Sequence, residues 1–278
     1  MNALRLGGRR YDLTTRTLVM GILNPTADSL SGQEATFDLD ALLRRADRLV
    51  SEGADIIDVG GVKADPGATV GEAEEVDRVV RVVEAVAGRF DVPVAADTWR
   101  AAVLDAVCGA GAVCGQDISG FADPGYLPTA ARHGAAVVAT HIRRWPPVPD
   151  PEPVYGDLVG EVCAFLAERA GWALQAGVPA GSVILDAGLD LGKTAPQRAV
   201  LLRESRRLAA LGHPLLLSAS HQTFPGADLD QTVDGRRWSS LAATAYGVAR
   251  GVRIVRAPDV AGTVRVVRTV AALLAPRS

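Results

Sequence analysis

Eight short apolar runs, each followed by a stretch of helical periodicity, predict an α/β fold, a (β/α)8 barrel. The runs are nearly continuous in apolar residues rather than alternating, the pattern of parallel strands covered on both faces. Eight strand–helix units suit a chain of 278 residues. No linker interrupts them, so a single domain over residues 1–278 is expected. A doubly wound open sheet is the alternative that such alternation allows.

The elements follow in order. "LRLGGRRYDL" (4–13), with Gly7-Gly8 at its centre, suits a hairpin under the barrel. "TLVMGIL" (17–23) is the first barrel strand. The helix after it has apolar residues at Leu39, Leu42, Leu43 and Leu49 and stops at Gly53. "ADIIDVGG" (54–61) is the second strand, and "GEAEEVDRVVRVVEAVAGRF" a helix with acids in its first turn, as the helix dipole prefers. Strands at 92–97, 112–120 and 135–142 alternate with "WRAAVLDAVCGAG" and "YLPTAARHG". "LVGEVCAFLAERAGWALQAG" is a long helix, followed by strand 182–188. "APQRAVLLRESRRLAALG" reads as one helix with proline near its start. Strand 214–220, helix 239–251, strand 252–257 and helix 260–274 close the chain. Long connections at 143–157 and 221–237 are places for substrate contacts.

Composition narrows the function. The net charge of -3 offers no basic face for nucleic acid or anionic membrane. No run is long enough to span a bilayer, and "MNALRLGGRRYDL" lacks the apolar core of a signal peptide, so a cytoplasmic protein is expected. Cys108, Cys114 and Cys163 are odd in number and without metal-ligand spacing, which suits reduced thiols, with Cys114 in the core. Trp145 and Trp172 read as packing residues, and His133 and His213 as surface groups. "GLDLGKT" (188–194) is one residue short of a phosphate-binding P-loop. Lys193 reads there as a helix-entry residue with Thr194 as the cap.

In such a barrel the active site lies at the carboxyl ends of the strands. Strands here end near Asn24, Asp58, Asp97, Asp117, His141, Asp186, Ser220 and Arg256. One such residue is an ordinary strand cap; eight together predict a polar mouth.

These stretches resemble the dihydropteroate synthases. "MGILNPTADSLSG" is similar to that family's M-G-I-L-N-V-T-P-D-S-F-S, and "GADIIDVGGVKADPGA" to G-A-D-I-I-D-V-G-G-E-S-T-R-P-G-A. "VAADTWR", "GAVCGQDISG", "VILDAGLDLGKT", "LLLSASHQTFPG" and "RIVRAPDV" resemble its later motifs in order. The resemblance implies a (β/α)8 barrel that joins para-aminobenzoate, through its amine, to a pterin methyl diphosphate, releasing diphosphate with Mg2+ help. It implies that Asn24 serves metal and diphosphate, that Asp97 and Asp186 hold the pterin's donor edge, and that Arg256 lies against the pterin and contacts phosphate. Asn24, Asp97 and Arg256 are thus the expected catalytic set. A homodimer through late-barrel helices is implied as well.

The departures fall on working positions. Gln116 replaces the pterin-site asparagine and Leu191 the aromatic near para-aminobenzoate. Gln222 replaces the lysine that meets the pterin carbonyl, between His221 and Thr223. Val62-Lys63-Ala64-Asp65 replaces E-S-T-R, Thr140 a methionine, and Pro258 a late histidine. The diphosphate site therefore loses an arginine, a lysine and a histidine and gains Asp65; Lys63 and His221 can compensate in part. Losing two charge-assisted bonds, at about 1.5–3 kcal/mol each, weakens an anion by a factor on the order of 100 or more. "DVGGVKADPG" also resembles the divergent second homologue of actinobacteria, regarded as lacking the ordinary activity. Two readings follow: a transferase using para-aminobenzoate or a changed nucleophile, or a non-catalytic pterin- or folate-binding paralogue with a regulatory or scaffold role.

Overall fold

The computed structural model describes residues 3–24, 38–61, 70–144, 148, 150–218 and 233–275, the last stretch by backbone alone over 233–236. Eight parallel strands close into a barrel in the order β10-β3-β4-β5-β6-β7-β8-β9. They are β3 (Leu18–Leu23), β4 (Ile56–Gly60), β5 (Val94–Asp97), β6 (Cys114–Asp117), β7 (Ala136–Thr140), β8 (Val183–Asp186), β9 (Leu215–Ser218) and β10 (Val252–Ala257). Strand β10 pairs with both β9 and β3, which excludes the open-sheet alternative.

Around the barrel lie α1 (Leu39–Ser51), α2 (Glu72–Arg89), α3 (Ala101–Gly109), α4 (Tyr126–His133), α5 (Leu158–Gln175), α6 (Ala195–Arg203), α7 (Ser205–Ala209), α8 (Val233–Ala249) and α9 (Val260–Leu274). Helix α1 opens on Asp38, whose carboxylate accepts from Ala41 N, and Gly53 (φ +100) turns the chain back after it. The stretch 195–212, expected as one helix, divides at Glu204 (φ -92, ψ 14). There Ser205 Oγ donates to Leu202 O, a side-chain bond that competes with the helical ladder. Helix α8 begins at Val233, before the expected residue 239. No described helix is long and apolar enough to cross a membrane.

Strand parity sorts the core into two. Outward residues such as Ile57, Val59, Val94, Ala96, Val137, Val183 and Val255 pack against the helices. Inward residues Leu18, Met20, Ile56, Ala95, Cys114, Val138, Ile184, Leu216 and Ile254 fill the barrel. A hairpin of β1 (Ala3–Leu6) and β2 (Arg9–Asp12) contributes Leu4 and Leu6 to that interior, with Leu13 following, and so plugs its amino end. Gly7 turns the hairpin at φ +56, and a Cβ there would sit 2.9 Å from Val113 Cγ1.

Candidate functional site at the barrel mouth

The inward positions one step beyond the apolar interior are Asp58, Asp97, Gln116, Thr140, Asp186, Ser218 and Arg256. Each stands two residues after an interior side chain, so the twofold period of a strand points all of them inward at the carboxyl end. Register sets Asp97 beside Gln116, Thr140 beside Asp186 and Arg256 beside Ser218, while Asp58 stands beside Ala95, Gln116 also beside Val138 and Asp186 also beside Leu216, so the polar residues step around the mouth. Asn24 has the same parity one step past β3. It packs over Gly60, where a Cβ would lie 2.9 Å from Asn24 Oδ1 and 3.5 Å from Asp97 Cβ.

Arg256 is held by two acids. Its Nε donates to Asp58 Oδ2 at 2.7 Å and its Nη2 to Asp97 Oδ2 at 2.9 Å. Burial alone would lower the guanidinium's pKa, but Asp58 and Asp97 together raise it. Burial pushes Asp97 up to about 7 against the pull of Arg256, and Asp186 up to about 6 although Gly188 N donates to it. It pushes Asp58 up as well. Three carboxylates facing one guanidinium leave this layer acidic.

Four oxygens around it are buried without a hydrogen-bond partner among the described residues: Asn24 Oδ1, Asp58 Oδ1, Gln116 Oε1 and Thr140 Oγ1. Unpaired buried polar atoms are costly, which marks this as a place for a ligand with donor groups. Asn24 Oδ1 suits a hard cation. Among the described residues no group of three or more His, Cys, Asp or Glu is placed to hold a metal. An Mg2+ here would take its other ligands from water and substrate phosphate, its usual habit.

Three sequence expectations change. Asp58 lies inside β4 rather than at its end, and its partnership with Arg256, 198 residues away in sequence, leaves no local pattern. Asp117 has outward parity; its carboxylate accepts from Ser119 N and Phe121 N and ties the turn. His141 stands beyond β7 with its ring edge-on to Phe165 at 4.9 Å, and burial holds its pKa down at about 3.

Lys193 is more than a helix-entry residue. It is 4% exposed, and its ammonium donates to Gly188 O, Leu191 O and His141 O at 2.7, 2.9 and 3.3 Å. Burial lowers it to about 7 against the pull of Asp186 and Asp190. The signal was the pair Gly188 and Gly192, at φ +60 and +56, which folds the turn back so that the lysine reaches inward. Thr194 caps α6 in a capping box with Gln197, as expected. Leu191 stands in that turn, half buried. Trp172 is 39% exposed but packs against the Arg169 guanidinium, and Cys114 is in the core. Lys63, Asp65, Trp145, Ser220, His221, Gln222 and Thr223 lie outside the described residues.

A parallel barrel with acids, an amide and one paired guanidinium at its carboxyl end defines a small-molecule site for a polar, donor-bearing ligand. The chain belongs to the pterin-binding enzyme family, whose model matches residues 20–257. It is 38% identical to the dihydropteroate synthase of Synechocystis over 97% of this chain and 94% of that one. It is 39% identical to a protein of Mycobacterium leprae named inactive dihydropteroate synthase 2, over 94% and 92%. The Xanthomonas albilineans dihydropteroate synthase solved with 4-aminobenzoic acid superposes at a TM-score of 0.90, with 33% identity and 99% of each chain covered.

Proposed function

We propose that this chain is a dihydropteroate synthase-like transferase: it holds a pterin methyl diphosphate at the barrel mouth and joins its methylene carbon to an arylamine such as para-aminobenzoate, or to a changed nucleophile. The observation that carries this reading is the set of buried acceptors that converge inward at the carboxyl end of the barrel. A pterin's amino and ring N–H groups need acceptors, and Asp97, Asp186 and Gln116 offer them. Arg256, fixed by Asp58 and Asp97, presents a rigid plane against which a flat ring can lie. As diphosphate departs, the methylene carbon becomes cationic, and the acidic layer stabilises that charge. An Mg2+ held at Asn24 would supply charge neutralisation for the leaving phosphates. Leu191 would then face the nucleophile, and Gln222 would stand at the pterin carbonyl.

A second reading has its own support. The likeness to the inactive mycobacterial paralogue is as high as to the synthase, and the layer's acidity disfavours diphosphate. In that reading the chain binds a pterin or folate without turnover. We expect a cytoplasmic homodimer in either case.

Calorimetric titration with a non-hydrolysable 6-hydroxymethylpterin diphosphate analogue, with and without Mg2+, separates the two when followed by a diphosphate-release assay with para-aminobenzoate. Binding with turnover supports the transferase; binding without turnover for any arylamine supports the paralogue. No binding at millimolar analogue overturns both. Donors of the ligand favour ionised carboxylates, so affinity should rise with pH between about 6 and 7, where Asp186 and Asp97 lose their protons. Below that window binding should release protons, read as heats that differ between buffers.

A further inference from the structure

Outside the barrel mouth, beyond the His141–Phe165 ring contact, a cavity of about 280 Å3 opens between the β6–α4 turn and helix α5. Ser119, Gly120, Arg143, Phe165, Arg169 and Trp172 line it, and no carboxylate among the described residues does. Arg169 is its centre. The guanidinium carbon lies 4.2 Å from the Phe165 ring centroid and 3.7 Å from that of Trp172, one helical turn to either side. This sandwich holds the guanidinium still, so little freedom is lost when an anion meets it. Its Nε is buried without a hydrogen-bond partner among the described residues. Its ion-pair partner Glu168 is 56% exposed, a contact of the kind that costs little to break.

The backbone keeps the approach open. A Cβ on Gly120 (φ +70) would lie 2.5 Å from Phe165 Cζ and 3.4 Å from Arg169 Nε. Phe121 beside it holds φ +63, an uncommon conformation for a side chain of that size. On the other side of Phe121, Ala122 and Trp172 lies a second depression of about 390 Å3, with Leu127, Pro128 and Ala176 in its lining beside Asp123, whose carboxylate accepts from Ala101 N and Gly125 N. Trp172 thus stands between a cationic lobe and a largely apolar one.

We propose that this two-lobed cavity is a second ligand site, taking a small flat aromatic anion whose ring lies against Trp172 and whose acidic group meets Arg169. A guanidinium fork suits carboxylate and phosphate alike. Arg143, ion-paired with Asp150 at 3.4 Å, adds positive charge at the same rim. The site shares no residue with the acidic layer at the mouth and does not depend on what that layer binds.

Calorimetry on the full chain tests it, with benzoate, phenyl phosphate and inorganic phosphate as probes. At least one aromatic anion should saturate with a dissociation constant on the order of 1 mM or below. Whether benzoate or phenyl phosphate binds better identifies the acidic group. Arg169→Met keeps the stem between the rings and should weaken that probe about tenfold or more; Trp172→Ala should do the same. Arg169→Lys, with the charge but not the fork, should fall between, and guards against a folding defect, which thermal unfolding also monitors. Asp97→Asn should leave the affinity unchanged. Absence of saturation by both aromatic probes overturns the proposal. So does inorganic phosphate binding as tightly as phenyl phosphate, or affinity that follows Asp97→Asn instead of Arg169→Met.

Discussion

Asp186, proposed above as a ligand acceptor, carries a charge that burial sets against stability. It is 4% exposed and raised to about 6 by burial, although Gly188 N donates to it. A carboxyl whose folded pKa is raised favours folding most at low pH, and that contribution is lost as pH rises through the folded value. Between about pH 4 and 6 the wild-type chain should therefore lose stability on this account. Asp186→Asn keeps the acceptor for Gly188 N and removes the charge. Urea unfolding at pH 8 should find it more stable than wild type, by on the order of 2 kcal/mol, with pterin binding weakened. At pH 4 the two should converge. Asp97, Gln116, Asp186 and Arg256 were legible as a set through the family motifs, whereas the part of Asp58 in it was not. A list of strand-end polar groups puts Asp117 beside Asp97, whereas parity sends one outward and the other inward. The Arg256–Asp58–Asp97 cluster needs the barrel closed before its members meet.

At the scale of elements, the turn between β8 and α6 is tightly constrained. Gly188 at φ +60 passes so close to β7's end that a Cβ would lie 2.2 Å from His141 O. Lys193 then stitches the carbonyls of Gly188, Leu191 and His141 together. Gly188→Ala meets both a strained backbone angle and a backbone clash that no rotamer relieves. It should cost about 2–4 kcal/mol in chemical denaturation and weaken ligand binding, because Asp186 Oδ1 is oriented by Gly188 N. Ala187→Gly next door should do neither to that extent. Such turns explain which parts of the fold were readable beforehand. Helix 260–274 has the bounds its apolar stripe predicts, and in the structure Asp259 caps it at the point where that stripe begins. The break at Glu204 was not, since the competing Ser205–Leu202 bond leaves no mark on apolar periodicity.

Over the whole molecule, stability and recognition occupy opposite ends of one barrel. The amino end is closed by Leu4, Leu6 and Leu13, each at most 1% exposed, packed on Leu18, Ile56, Ala136 and Ile254. The carboxyl end carries the acids and the guanidinium. Between them lie the interior side chains of β3 to β10, a packed layer that does not rearrange freely. Leu6→Ala leaves a cavity at the plugged end and should cost about 2–5 kcal/mol, a large share of the roughly 5–15 kcal/mol that holds a domain folded. The chain that remains folded should still bind at the mouth as wild type does, since no hairpin residue reaches the Asp97 layer among the described contacts. Urea unfolding and calorimetric titration of the same Leu6→Ala sample check both halves. If affinity falls with stability, the barrel transmits strain from the plug to the mouth, and the two ends form one cooperative unit.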